Sequence, residues 1–88
     1  MSVSGEFQRV LGECVELLRA CHEPELERWS DELDAAGRAG REDLCAGAER
    51  ALGVLGEARS AAPGSQPGAE FSRRSEHLGA ICHVILGR

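Results

Sequence analysis

The chain contains two pairs of adjacent Cys and His residues, which are residue types that can bind a metal or, for Cys, take part in redox chemistry. They are Cys21-His22 and Cys82-His83. Because neighbouring residues on a helix point about 100° apart, the two members of a pair do not readily face one ion. Structural zinc sites also have ligand pairs in patterns such as C-x-x-C, and the chain has no such pair. We therefore expect the cysteines to pack as small apolar residues and the protein to use no cofactor.

An alternative interpretation keeps a role for the thiols. Cys14 and Cys21 share the apolar side of the first predicted helix, and Cys82 lies on the apolar side of the last. If these three residues met inside a helical bundle, they could form a thiol or metal site. The packing interpretation predicts instead that all three are buried and unmetallated, and that Cys45 is the thiol that reacts first.

No motif for hydrolysis or phosphate binding is present. The segment GSQPG at 64–68 follows no predicted strand, so it is not a nucleophile elbow. GRAG at 37–40 lacks the strand, the spacing and the lysine of a phosphate-binding loop. Glu76 and His77 are neighbours that diverge on a helix, which favours a surface position over an acid–base pair. We expect no enzymatic activity.

Charge and length exclude other classes of partner. The 88 residues carry a net charge of −5, and an acidic domain repels phosphate backbones. A helix-turn-helix would place Glu42 and Asp43 at the end of the recognition helix that should face base edges, which argues against DNA binding. The longest apolar stretch, at 80–86, is too short to span a bilayer. We therefore expect neither a nucleic acid nor a membrane as partner.

The amino terminus and the composition predict a location. The amino terminus has no basic region followed by an apolar run, so the sequence does not indicate a signal peptide. We therefore expect a soluble cytosolic protein with reduced cysteines. Every basic residue is Arg, and with the abundant Ala and Gly this suggests a GC-rich, bacterial genome. The length fits a single helical domain over residues 1–88.

The spacing of apolar residues predicts an all-α fold. The expected helices run from an N-cap at Ser4 to about Cys21, from Pro24 to about Ala36, from about Arg41 to Leu55, and from Ala69 to Leu86. Gly37 and Gly40 should bracket a turn, Gly47 and Gly53 should allow a neighbouring helix to approach, and residues 56–68 should form the long loop. Mostly short connections predict a small antiparallel four-helix bundle.

Two surfaces are candidates for binding a protein partner. The acidic face of the second helix would attract a basic partner, and its residues are Glu25, Glu27, Asp31, Glu32 and Asp34. The last helix is apolar on two sides, because Ala80 and Val84 lie opposite the stripe of Phe71 and Leu78. Uncovered apolar surface commonly marks an interface, so we expect Val84 to lie in a homodimer contact.

One resemblance covers most of the chain. VELLRACHEPELERWSDELD at 15–34, followed by AERALGVLG and closed by LGAICHVIL, resembles a family of small uncharacterised bacterial helical proteins, a domain of unknown function. The resemblance implies a helical fold and assigns neither an activity nor site residues. A glycine-rich segment follows the third helix in that family, and here GEARSAAPGSQPG stands in that place.

The hypothesis that fits these observations best is a non-enzymatic, cytosolic interaction protein. Small acidic helical proteins suit the roles of immunity protein, antitoxin or accessory subunit, each of which binds a protein partner. The alternative from another class is a thiol- or metal-binding bundle that uses Cys14, Cys21 and Cys82. A third interpretation is a ligand-binding helical domain in which Trp29 lines a pocket.

Overall fold

The computed structural model describes residues 2–61 and 68–88, and these residues form four α-helices with no strand. The helices are α1 (Val3–Ala20), α2 (Pro24–Glu42), α3 (Leu44–Ser60) and α4 (Ala69–Leu86). The predicted all-α bundle is confirmed, and the bounds of α4 are those expected from the sequence. The loop expected at 56–68 starts later because α3 continues to Ser60, and residues 62–67 lie outside the described part of the chain.

Each helix packs against its neighbours in sequence, and α4 closes the bundle against α1. Cross-helix contacts give the directions. The Gln8 side chain, near the start of α1, donates to the carbonyl of Gly37 near the end of α2 at 2.8 Å. Arg28 early in α2 lies 3.7 Å from Glu57 late in α3. Sequential helices therefore run antiparallel, and the protein measures 34 × 21 × 20 Å.

The core is built mainly from aliphatic residues and the three aromatic ones. Phe7, Trp29 and Phe71 come from three different helices, and none is more than 4% exposed. Ser30 and Ser75 are the buried polar residues of the described ranges. Each donates its hydroxyl to a carbonyl of its own helix, at 2.7 and 3.0 Å, so neither needs a partner from another helix.

The connection between α2 and α3 differs from the prediction. The turn expected at Gly37 and Gly40 is absent, since both residues lie inside α2 and are buried. Asp43 alone joins the two helices: its N–H donates to the carbonyl of Ala39 at 2.9 Å, which ends α2. Its carboxylate accepts from the N–H groups of Cys45 and Ala46 at 3.1 and 3.3 Å, which caps α3.

The start of α1 also differs from the prediction. The N-cap is Ser2 rather than Ser4, and its hydroxyl accepts from the N–H of Gly5 at 3.0 Å. At the other end His22 has a φ of 55°, the left-handed conformation that commonly terminates a helix. Pro24 then begins α2 at the position expected from the sequence. None of the four helices is both long enough and apolar enough to cross a membrane.

Candidate protein-binding surface

The acidic face of α2 is held outward by the core residues on the opposite side of the helix. Leu26, Trp29 and Leu33 are buried at spacings of three and four, so the acidic residues of α2 lie on its other sides. Of the acidic residues of this face, Glu25, Glu27 and Asp31 are exposed, and Glu32 and Asp34 are partly buried. The structure therefore places the five predicted residues outside the core but on two flanks of α2. Asp31 and Asp34 lie beside Arg19 of α1, whereas Glu32 lies beside α3.

Intrachain arginines neutralise part of this face. The pairs are Glu25–Arg28 at 3.7 Å, Asp31–Arg19 at 3.5 Å, Asp34–Arg38 at 2.8 Å and Asp34–Arg19 at 4.0 Å. Exposed pairs of this kind contribute at most about 1 kcal/mol each, so a partner can displace them at small cost. Within the described ranges, Glu27 and Glu32 are the residues of the face that have no ion pair.

These arginines were not predicted as partners of the acidic residues, although the spacing of two of them in the sequence indicates such pairs. Glu25–Arg28 and Asp34–Arg38 have the spacings of three and four that bring side chains together on one helix. Arg19 is different, because it belongs to α1 and reaches α2 only through the packing of the two helices. The face is thus less negative than a count of its carboxylates suggests.

A cleft lies beside the acidic face, between α2 and α3. It has a volume of about 340 Å³ and is lined by Glu32, Ala35, Arg50, Gly53, Val54 and Glu57. The Oε2 atom of Glu32 is shielded from solvent and has no hydrogen-bond partner in the described structure. A shielded carboxylate oxygen without a hydrogen-bond donor is unfavourable, so Glu32 is the acidic residue of α2 whose hydrogen-bonding capacity is not fully used.

Trp29 lies in the core rather than at a ligand pocket. Its side chain is 1% exposed, which does not fit the interpretation that it lines an open pocket. Its indole Nε1 is buried and has no hydrogen-bond acceptor among the described residues. Trp29 and Glu32 are one turn apart on α2, so an indole fluorescence signal reports on the neighbourhood of the cleft.

The cysteines divide into two classes. Cys14 and Cys82 are completely buried, as predicted, and burial raises the pKa of their thiols to about 12 and about 11. The prediction for Cys21 is wrong. It forms the C-cap of α1, where the helix projects past the core, and it is exposed like Cys45.

The alternative metal site is consequently not assembled. Cys21 is exposed while Cys14 and Cys82 are buried, so the three do not meet in one place. Across residues 2–61 and 68–88, no group of three or more His, Cys, Asp and Glu side chains could hold a metal ion. The two histidines of the Cys-His pairs, His22 and His83, are both exposed.

The last helix exposes apolar surface, as the sequence indicates. Val84 is 69% exposed and Ala80 is exposed, while Leu78 on the opposite side is buried. A groove of about 310 Å³ runs beside Ala80 between α3 and α4, and Leu52 and Gly56 contribute to its other wall. This surface is a second candidate for contact with a protein.

The class of this protein is assigned from its fold, because comparisons with known proteins found no match. No family model matches the chain, and neither a curated protein nor a solved structure matches it. The resemblance to a family of small bacterial helical proteins stays a prediction. The structure itself defines an all-α four-helix bundle whose candidate site is a surface, formed by the acidic side of α2 and the cleft next to it.

Proposed function

We propose that this protein is a non-enzymatic, cytosolic interaction protein of bacterial origin that binds a basic protein partner through the acidic face of α2. The observation that carries the proposal is the pair of carboxylates, Glu27 and Glu32, that no arginine of the described chain neutralises. A partner's cations would meet these two groups first. Roles as an immunity protein, an antitoxin or an accessory subunit all fit this mode of binding.

Electrostatics supports the same surface. The net charge of −5 attracts a basic partner over a distance, which raises the rate of encounter at low salt. At the contact, the partner's cations can replace Arg28 and Arg38 as the ion-pair partners of Glu25 and Asp34, because both arginine side chains are more than half exposed. The whole face is then available as an acceptor of cationic side chains.

A matched pair of variants tests the proposal. The first carries Glu27→Gln and Glu32→Gln on α2, and the control carries Glu16→Gln on α1 and Glu76→Gln on α4, two exposed acids without an ion pair in the described structure. Both variants have the same net charge. Each is used, with wild type, for affinity capture from a lysate of the source organism at several salt concentrations, with quantification by mass spectrometry.

The proposal requires that wild type and the control retain the same basic protein, that the α2 variant loses it, and that added salt weakens retention. Equal retention by both variants would mean that the partner does not dock on α2. If wild type retains no basic protein above the background of the empty resin, the protein does not act in this way.

A further inference from the structure

We infer that a second copy of this chain binds in the groove between α3 and α4. The two copies are related by a two-fold axis parallel to the groove, which places Arg59 of each copy against Glu76 of the other. This inference goes beyond the proposed function, because it assigns a different surface and a different partner. Since α2 and α4 each pack mainly against α1 and α3, they lie diagonally across the bundle, and self-association leaves the acidic side of α2 accessible.

The groove runs along the boundary between α3 and α4. Two cavities, of about 310 and 220 Å³, lie on this boundary, and Leu55, Arg59 and Glu76 line both of them. Because they share these lining residues, the two cavities are parts of one groove. Gly56 also lines it, and a Cβ built on Gly56 meets no atom within 4 Å, so the chain itself leaves this space open. A groove between two helices can receive a helix of another molecule.

The middle of the groove is largely apolar. Leu52 lines its α3 side, and Ala80 lines its α4 side and is exposed. Val84, one helical turn after Ala80, is 69% exposed. The surface thus contains a projecting apolar side chain beside an open recess. In a two-fold contact the same surface serves both copies, so it has to contain both features.

The two walls of the groove carry opposite charges at each end. At one end, Arg59 of α3 and Glu76 of α4 are at the same level, because a Cβ on Gly79, one turn after Glu76, would lie 3.8 Å from Arg59 Nη2. At the other end, the carboxylate of Glu49 on α3 lies 2.7 Å from the guanidinium of Arg88, which follows α4. Each wall is therefore positive at one end and negative at the other, in opposite order.

Arg59 and Glu76 are charged side chains of this surface that have no ion pair within the described residues, whereas Glu49 and Arg88 pair with each other. A two-fold axis parallel to the groove exchanges the two walls and keeps every residue at its level. Arg59 of each copy then faces Glu76 of the other, and the two apolar stretches meet. An axis across the groove would place Arg59 against Glu49 of the other copy, in competition with Arg88. The charges therefore favour the parallel axis.

One long side of the bundle offers enough area for such a contact. A stable interface buries about 800 Å² on each partner, which is about a sixth of the accessible surface of 5032 Å². In a body that measures 34 × 21 × 20 Å, each long side accounts for roughly a fifth of the surface. A dimer can therefore form on the side of α3 and α4 without any contribution from the acidic side of α2.

Charge reversal in two single variants tests both the partner and the symmetry. Arg59→Glu places a carboxylate against Glu76 of the second copy, and Glu76→Arg places a guanidinium against Arg59. Each variant should therefore dimerise at least about tenfold more weakly than wild type. An equimolar mixture of the two variants restores both pairs of opposite charge in a heterodimer, which should bind about as tightly as the wild-type homodimer. Analytical ultracentrifugation measures the dissociation constants, and native mass spectrometry identifies the heterodimer by its mass.

Variants outside the groove control for net charge. Arg41→Glu on α2 and Glu16→Arg on α1 make the same changes of charge at exposed side chains that have no ion pair in the described structure. Both should dimerise like wild type, and circular dichroism checks that all four variants are folded. Equal weakening by Arg41→Glu and Arg59→Glu would show that overall charge and not the groove contact is responsible, which would overturn the proposal.

The mixture and the wild-type protein supply the remaining outcomes. If the two charge-reversed variants form no heterodimer, the parallel axis is wrong, because an axis across the groove does not bring residues 59 and 76 together. A wild-type protein that stays monomeric throughout the micromolar range would overturn the whole inference and would leave the proposal for α2 unaffected. Glu76 belongs to the α4 surface and not to α2, so Glu76→Gln stays a valid control for binding of a basic partner at α2.

Discussion

Gly40 of α2 and Gly47 of α3 bring their backbones so close together that a Cβ on Gly47 would lie 2.7 Å from the Gly40 nitrogen. The same Cβ would lie 2.8 Å from the carbonyl oxygen of Ala36. Both distances are to backbone atoms, so no rotation of a side chain can make room. This contact allows α2 and α3 to fold back on each other although Asp43 is the single residue between them.

Replacing Gly47 by alanine should therefore destabilise the protein. Alanine favours a helix by about 1 kcal/mol over glycine, but overpacking of a tight contact typically costs about 1–3 kcal/mol, and here the obstacle is backbone. We expect a lower urea midpoint for Gly47→Ala by circular dichroism. The matched control is Gly53→Ala on the same helix, which should raise the midpoint because its Cβ meets open space. Stabilisation of both variants would contradict the close contact.

The cap formed by Asp43 should be measurable in the same assay. Its carboxylate accepts from the N–H groups of Cys45 and Ala46, and loss of an N-cap side chain costs about 0.5–2 kcal/mol. Asp43→Ala is expected to lower the unfolding free energy by this amount. Asp43→Asn keeps an acceptor oxygen at the same place and should be close to wild type. Equal stability of the alanine and asparagine variants would show that the side chain does not cap α3.

The buried thiols predict how stability depends on alkaline pH. The chain has no Lys and no Tyr, so thiols are the side chains that titrate between about pH 8.5 and 11. Burial raises the pKa of Cys14 to about 12 and that of Cys82 to about 11, from 9.0. Between these values the unfolded state has lost protons that the folded state keeps, so the unfolding free energy should fall as pH rises above 9.

Urea unfolding at pH 8, 9, 10 and 11 in the presence of a reductant measures this dependence. A Cys14→Ala, Cys82→Ala double variant is the comparison. Its unfolding free energy should be lower at pH 8, because two buried side chains are truncated, but it should change less with pH. A parallel decline in wild type and double variant between pH 9 and 11 would rule out the buried thiols as the cause.

Self-association through α4 remains a prediction with a direct test. Val84 and Val3 are the large apolar residues that the described structure exposes most, at 69% and 44%. If Val84 lies in a homodimer contact, Val84→Glu should convert a dimer to a monomer at micromolar concentration, since burying an unpaired charge costs on the order of a few kcal/mol. Val3→Glu makes the same change on α1 and should leave the dimer intact. Analytical ultracentrifugation distinguishes the two results.

The outcomes for Val84 are unambiguous because its side chain is outside the core. A folded monomer for Val84→Glu is expected, whereas the same change at buried Ile81 should unfold the protomer. If the wild-type protein sediments as a monomer, or if Val84→Glu remains dimeric, Val84 is not a homodimer contact.

Local signals in the sequence determined the helices and most of their faces. The apolar spacing gave the all-α fold and the bounds of α4, and Pro24 marked the start of α2, because these features depend on residues within a few positions of each other. Burial of Cys14 and Cys82 followed from the same periodicity. The acidic side of α2 could also be predicted, since hydrophobic residues at spacings of three and four leave the other positions outside.

Tertiary packing decided the points that involve residues far apart in the chain. Glycines such as Gly37 and Gly40 are typical of a turn, yet both lie inside α2. Their lack of a side chain leaves the space in which α1 and α3 approach α2. Cys21 continues the apolar stripe of α1 but is exposed, since the core ends before it. Periodicity specifies a direction around a helix, and only the neighbouring helices set how far along it the core extends.

The candidate site also combines features that the local sequence specifies with features that only tertiary packing creates. Sequence alone predicted five outward carboxylates on α2, but the pairing of Asp31 with Arg19 and the cleft at Glu32 arise where α2 meets α1 and α3. Charges interact over distances of a few ångströms, and those distances exist only after the helices have packed. The chain therefore encodes an acidic helix locally. Within the described residues, the fold leaves Glu27 and Glu32 as the two of the five predicted carboxylates without an ion pair, and it places Glu32, but not Glu27, beside the cleft.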